Sequence, residues 1–158
     1  MIKLRIVEDR HDDEYKVAQH EQMSDIVRNL LTDKKIDSER RSIKSLYGRL
    51  IRDGEVTDDK VKCASRIEKI LSNLASKIYF SIDWKTHLPG LYYELEKSFK
   101  NDLYYCEELI EDLNGVDYDE VVYTYGEEVK KSDWLLGKII DTFDEIFKYL
   151  ESIGYTIR

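Results

Sequence analysis

The stretch "SDWLLGKIIDTFDEIFKYLESIG", residues 132–154, reads as one long amphipathic helix. Leu135, Leu136, Ile139, Phe143, Ile146, Phe147, Leu150 and Ile153 recur at helical spacing. At about 100° per residue they fall on one broad apolar face. Ser132 is the expected N-cap, and Gly154 the expected stop. A face this wide has to be covered by other helices.

Helical spacing recurs four times upstream. Met23, Ile26, Val27, Leu30 and Leu31 form one stripe, and Ile43, Leu46, Tyr47, Leu50 and Ile51 another, with Ser38 as its expected N-cap and Gly54 as its stop. Thr57 or Asp58 caps a longer helix reaching about residue 82, with Val61, Ala64, Ile67, Leu71, Leu74 and Ile78 inward. A further helix over about 91–113 carries Leu95, Phe99, Leu103, Cys106, Ile110 and Leu113. Asp117 with Glu120 matches a capping box. That predicts a short helix, with Val121, Val122, Tyr125 and Val129 facing in. Breaks are expected near 35–37, 54–57, 83–90 and 114–117. At the start, "MIKLRIVE" alternates, placing Ile2, Leu4 and Ile6 on one side of a strand, with "YKVA" at 15–18 or the C-terminal "GYTIR" as its partner.

The expected fold is therefore mainly α: one domain over residues 1–158, an antiparallel bundle of five or six helices. A short β or turn lead-in occupies 1–20, the bundle 21–153 and a tail 154–158. A length of 158 residues suffices for an unstapled core, and seven Gly with one Pro suit long helices and few turns. Cys63 and Cys106 form no CxxC pair and read as buried, reduced thiols of a cytoplasmic protein. No apolar run reaches the length of a membrane span.

Charge is distributed unevenly. The net charge is −8, and residues 101–128, "NDLYYCEELIEDLNGVDYDEVVYTYGEE", hold ten acidic groups and no basic one, with five tyrosines. Residues 28–52 lean the other way, with Arg28, Lys34, Lys35, Arg40, Arg41, Lys44, Arg49 and Arg52 against Asp33, Asp37 and Glu39. The chain is polarised along its length.

Three constellations contain residue types suited to chemistry. His11, Asp12, Asp13, Glu14, His20 and Glu21 are metal-ligand types. However, Ser24 stands where HExxH requires its second histidine, and no histidine precedes His11, as the His-Asp phosphohydrolase arrangement would need. Glu108 with Glu111, and Asp141 with Asp144, resemble the paired acidic motifs by which all-α nucleotide pyrophosphohydrolases hold Mg²⁺. Helical phase turns all four away from the apolar stripes, so they are not expected to converge on an ion. The basic band 28–52 suggests a helix-turn-helix, but its connector "TDKKIDS" is long and lacks glycine, and the chain is acidic. Direct nucleic-acid binding is therefore not expected, nor any metal or cofactor. Pairing of this band with the acidic stretch, within the fold or between copies of the chain, is the plainer role.

What remains is a surface. Tyr104, Glu107, Glu108, Glu111, Asp112, Asp117, Asp119 and Glu120 are expected to face outward, whereas Tyr92 and Tyr125 are expected in the core. Carboxylates spaced a few ångströms apart imitate nucleic-acid phosphates, and tyrosine supplies rigid contact area. These features imply a non-enzymatic acidic module. Its expected partner is a basic, nucleic-acid-handling protein, which it would inhibit or accompany. Small acidic proteins of phage and mobile elements that block defence effectors are similar in kind, as are immunity proteins. The alternatives are the Mg²⁺-dependent nucleotide hydrolase and a DNA-binding regulator using residues 28–52.

Overall fold

Thr57 Oγ1 accepts a hydrogen bond from the Lys60 backbone N–H at 3.3 Å, and its carbonyl accepts from Val61 N–H at 3.1 Å. This is the N-cap expected from the sequence, and it starts one of four α-helices among the described residues of the computed structural model. Those residues are 34–80 and 95–152, together with positions 21, 25, 28, 29 and 93. The helices are α1 (Lys34–Leu50), α2 (Asp58–Phe80), α3 (Asn101–Gly115) and α4 (Lys131–Ser152). A π-helical segment, Leu95–Lys100, runs directly into α3. Between α3 and α4 stand strands β1 (Val121–Thr124) and β2 (Glu127–Lys130), which pair antiparallel.

The core lies where the apolar stripes meet. Ile43, Leu50, Val61, Ile67, Leu71, Leu74, Ile78, Phe99, Leu103, Ile110, Leu113 and the α4 stripe from Leu135 to Leu150 belong to one buried cluster. α2 packs against both α1 and α3, and α3 packs against α4. The circuit closes through Tyr47, whose ring meets Phe147 edge-on at 5.2 Å while its hydroxyl donates to Asp144 Oδ1.

That bond carries a pH signature. Burial, then the neighbouring Asp144 carboxylate, push the Tyr47 phenol well above its usual range. Its folded value lies above the unfolded value of about 10, so its contribution is whole below that pH and is lost as pH rises further. Tyr47→Phe is expected to cost about 1–2 kcal/mol at neutral pH. The gap to the parent, read by urea denaturation, should narrow above about pH 10. A gap unchanged into the alkaline range would sink this account.

The structure corrects several expectations. The bundle has four α-helices among the described residues, rather than five or six. The predicted break at 35–37 is absent: α1 is continuous from Lys34, Ser38 is interior to it, and Ile36 is buried. Ile51 lies past the end of α1 and is exposed. Ser132 is buried in the first turn of α4, which already begins at Lys131. The helix expected from Asp117 is a β-hairpin. Asp117 Oδ1 accepts from Asp119 N–H at 3.1 Å, forming a turn, instead of capping Glu120. Val121, Val122 and Thr124 are β-branched, and Tyr125-Gly126 supplies the two positive φ values, 53° and 80°, that a type I′ turn demands. The strand expected in 1–20, the stripe Met23 to Leu31, Tyr92, the break at 83–90 and the tail 154–158 lie outside the described residues.

Both cysteines are buried. Burial, with Asp102 adding to it, pushes the Cys106 thiol up to about 12, although a hydrogen bond with Thr142 opposes the shift. Neither thiol is expected to label with a thiol reagent at pH 8 faster than the fold opens. Prompt labelling of both in the native state would contradict this packing.

Candidate protein-binding face

The outer side of α3 is built by exclusion. Leu103, Cys106, Leu109, Ile110 and Leu113 take the core side. Helical geometry then turns Tyr104, Glu107, Glu108, Glu111 and Asp112 to the surface, where all five are exposed. Asp117, Asp119 and Glu120, in the connection to β1, are exposed as well. The structure thus places every one of the eight predicted residues at the surface.

Among the described residues, little positive charge compensates this stretch. Its last helical turn contains no basic residue, so Glu111 and Asp112 sit near the negative end of the α3 dipole. Among the described residues, one ion pair reaches its ten carboxylates: Lys131 Nζ to Glu120 Oε1 at 3.3 Å. That pair, with the Lys131 N–H to Glu120 carbonyl bond of 2.9 Å, ties the base of the hairpin to the start of α4. Asp102 is half-buried. Burial, then the charge of Glu145, raise its carboxyl above the ordinary range.

Tyrosine adds what the charge pattern alone could not show. All five tyrosines of the stretch are exposed, from 44% for Tyr105 to 100% for Tyr125, with Tyr104 at 64%. Tyr125 was expected in the core and instead caps the hairpin tip. Its φ of 53° is an uncommon conformation for a bulky side chain, costing about 1 kcal/mol or more. A fully exposed aromatic held in a strained conformation contributes nothing to packing, which makes it a candidate contact. In the register Val121↔Lys130, Val122↔Val129, Tyr123↔Glu128 and Thr124↔Glu127, Val122 and Val129 turn inward. Val121, Tyr123 and Glu128 turn out. Tyr105, Tyr118, Tyr123 and Tyr125 therefore join the face without having been singled out as contacts. The signal that could have found the last two is "VVYTYGEEVK": alternation around a Tyr-Gly turn.

The other constellations separate in space. Glu108, Glu111 and Asp141 are exposed, but Asp144 does not point away from the fold as expected. It is half-buried and accepts the Tyr47 hydroxyl, because α1 packs over that side of α4. Among the described residues no group of three or more His, Cys, Asp or Glu side chains is placed to hold a metal ion. His11, Asp12, Asp13, Glu14 and His20 lie outside them, and Glu21 is exposed.

Most of the basic band lies on α1, with Arg28 before it and Arg52 beyond its end. Asp37 pairs with Arg40 at 2.7 Å and with Arg41 at 2.5 Å, and these guanidiniums hold its carboxyl below the usual range. Arg49 meets Lys62 and Arg66 of α2 along a cavity of about 390 Å³. Among the described residues no ion pair joins this band to the acidic stretch, so the two charge regions do not neutralise one another within the fold. No helix among these residues is long and apolar enough to cross a membrane.

Comparison with protein-family models, with curated proteins and with solved structures finds no match.

Proposed function

We propose that this protein is a non-enzymatic binding module. It docks its acidic, tyrosine-bearing face on a basic, nucleic-acid-handling protein, as inhibitor or accessory subunit. One observation carries the reading: within residues 101–128, nine of ten carboxylates and all five tyrosines are exposed, while among the described residues a single ion pair offsets the charge. Crowded like charge destabilises a fold, and a basic surface relieves it. Exposed tyrosines supply rigid, amphipathic area of the kind enriched in interface cores. Occupation of a nucleic-acid groove on the partner is the form of inhibition that such a face suits.

The test is affinity capture from the native host, at low and at physiological salt. The parent chain is compared with a variant carrying Glu107, Glu108, Glu111 and Asp112 changed to Lys. Recovery of a basic protein by the parent alone, weakening with salt, is the expected result. Equal recovery by both chains would overturn the proposal.

The α1–α2 groove favours a second reading, a DNA-binding regulator, because Arg49, Lys62 and Arg66 line it against one carboxylate, Asp59, and no ion pair among the described residues engages the three. Retention of duplex DNA at physiological salt would select that reading over the first.

A further inference from the structure

A second cavity, of about 360 Å³, opens between α2 and the π-helix–α3 junction, beside the acidic face. Two carboxylates from different helices, Glu68 and Glu107, line it, together with the aromatic rings of Tyr79, Phe80 and Tyr104. Ala75 and Leu103, both buried, form its apolar floor. Glu68 is held in place rather than free to swing out, because Ser72 Oγ donates to Glu68 Oε1 at 2.7 Å. Phe80 is 80% exposed although it is large and apolar.

Two features point to a cation, and a third marks the segment as a candidate site. Two carboxylates line one partly buried space, and burial, together with the charge of Glu107, raises the Glu68 carboxyl despite the Ser72 bond. Aromatic faces attract cations. The wall already holds one: Lys100 Nζ sits 4.4 Å from the centre of the Tyr79 ring. Lys100 closes the π-helical segment, the one such segment among the described residues. Wide π turns of this kind recur at functional sites.

We propose that this cavity receives an arginine side chain of the basic partner. The guanidinium lies against Glu68 and Glu107, and its apolar stem against Leu103 under the Tyr104 ring. Arginine suits the site better than lysine. A planar guanidinium stacks on aromatic faces and offers several donors to two carboxylates at once, whereas an ammonium is a strongly hydrated point charge. The inference rests on the acidic-face reading and extends it to a contact outside the acidic stretch, namely Glu68 on α2.

The test is a titration of the whole protein, followed by amide NMR, with N-acetyl-arginine amide. The lysine derivative and the uncharged, near-isosteric citrulline derivative serve as comparisons. Saturable shifts centred on Ser72, Ser76, Tyr104 and Glu107 are expected, with citrulline at least about tenfold weaker and lysine between the two. Glu68→Gln should weaken the arginine complex about tenfold while melting no lower than the parent. Its amide can keep a bond to Ser72, and the raised Glu68 carboxyl marks a charge that costs stability as pH rises through its folded value. Ser76→Phe, at an exposed position on the cavity wall, fills the space without touching the core and should abolish the shifts.

Citrulline binding as well as arginine, no saturable shift at all, or an unaffected Glu68→Gln would each overturn the pocket. Shifts confined to Glu111, Asp112, Asp117, Asp119 and Glu120 would overturn it too, yet leave the acidic face standing. The face itself fails separately, when charge reversal leaves partner capture unchanged.

Discussion

Phe143→Ala is expected to lower the unfolding free energy by about 3–5 kcal/mol, the largest effect of any single change considered. The side chain is fully buried at the middle of α4, with its ring stacked on Phe147 at 6.1 Å. Phe147 in turn meets Tyr47 of α1. Removing the ring forfeits its transfer free energy and opens a space that the surrounding helices close only in part. Domains of this size are stable by about 5–15 kcal/mol, so about a fifth or more of the total is at stake. The comparison that gives the number meaning is Tyr125→Ala. It also truncates a large aromatic, but at a fully exposed hairpin tip. Its effect should stay within about 0.5 kcal/mol. Urea midpoints of the two variants that coincide would mean that the α4 stripe is not the core.

Reversal of Glu107, Glu108, Glu111 and Asp112 to Lys is expected to slow association with the basic partner by about 10- to 1000-fold at low salt. Four charges change sign, which takes the chain from −8 to about zero. The change removes the field that steers encounter. Added salt should shrink the difference, because the screening length falls to about 10 Å at 0.1 M. The fold should survive, since all four side chains are exposed and off the buried side of α3. Lysine at 111 and 112 is favourable at the C-terminal end of a helix by about 0.3–1 kcal/mol each, so the melting temperature should hold or rise. Tyr104→Ala and Tyr125→Ala should act differently, speeding dissociation while leaving the encounter rate intact. A reversed variant that associates as fast as the parent would reduce the acidic stretch to a solubilising surface.

Periodicity makes most of the helical architecture readable in the sequence. α2 and α4 each bury a stripe that recurs every three or four residues, and side chains at that spacing cannot avoid one face of a helix. The same rule fixed the outward placement of Glu107, Glu108, Glu111 and Asp112, because α3 has a single buried side. Charge segregation was likewise legible, being a property of order along the chain.

The hairpin was not, although its signs were present. Asp117 and Glu120 stand at capping-box spacing whether or not a helix follows, and the local code is degenerate. β-branched residues and a Tyr-Gly turn tip the balance only once Glu120 and Lys131 close the base of the hairpin beside α4. A two-stranded ribbon is marginal without such an anchor. Ser38 misled for a similar reason, since its capping preference yields to the burial of Ile36 two residues earlier.

Sequence order alone therefore sets which faces are apolar and where the charge lies, since both follow from residue type and spacing. Packing sets everything that depends on distance between segments far apart in the chain. It bends Asp144 to Tyr47, ninety-seven residues away, and brings Glu68 of α2 to the same cavity as Glu107 of α3. No local pattern encodes such meetings, because they arise only when separate helices bury their stripes against one another.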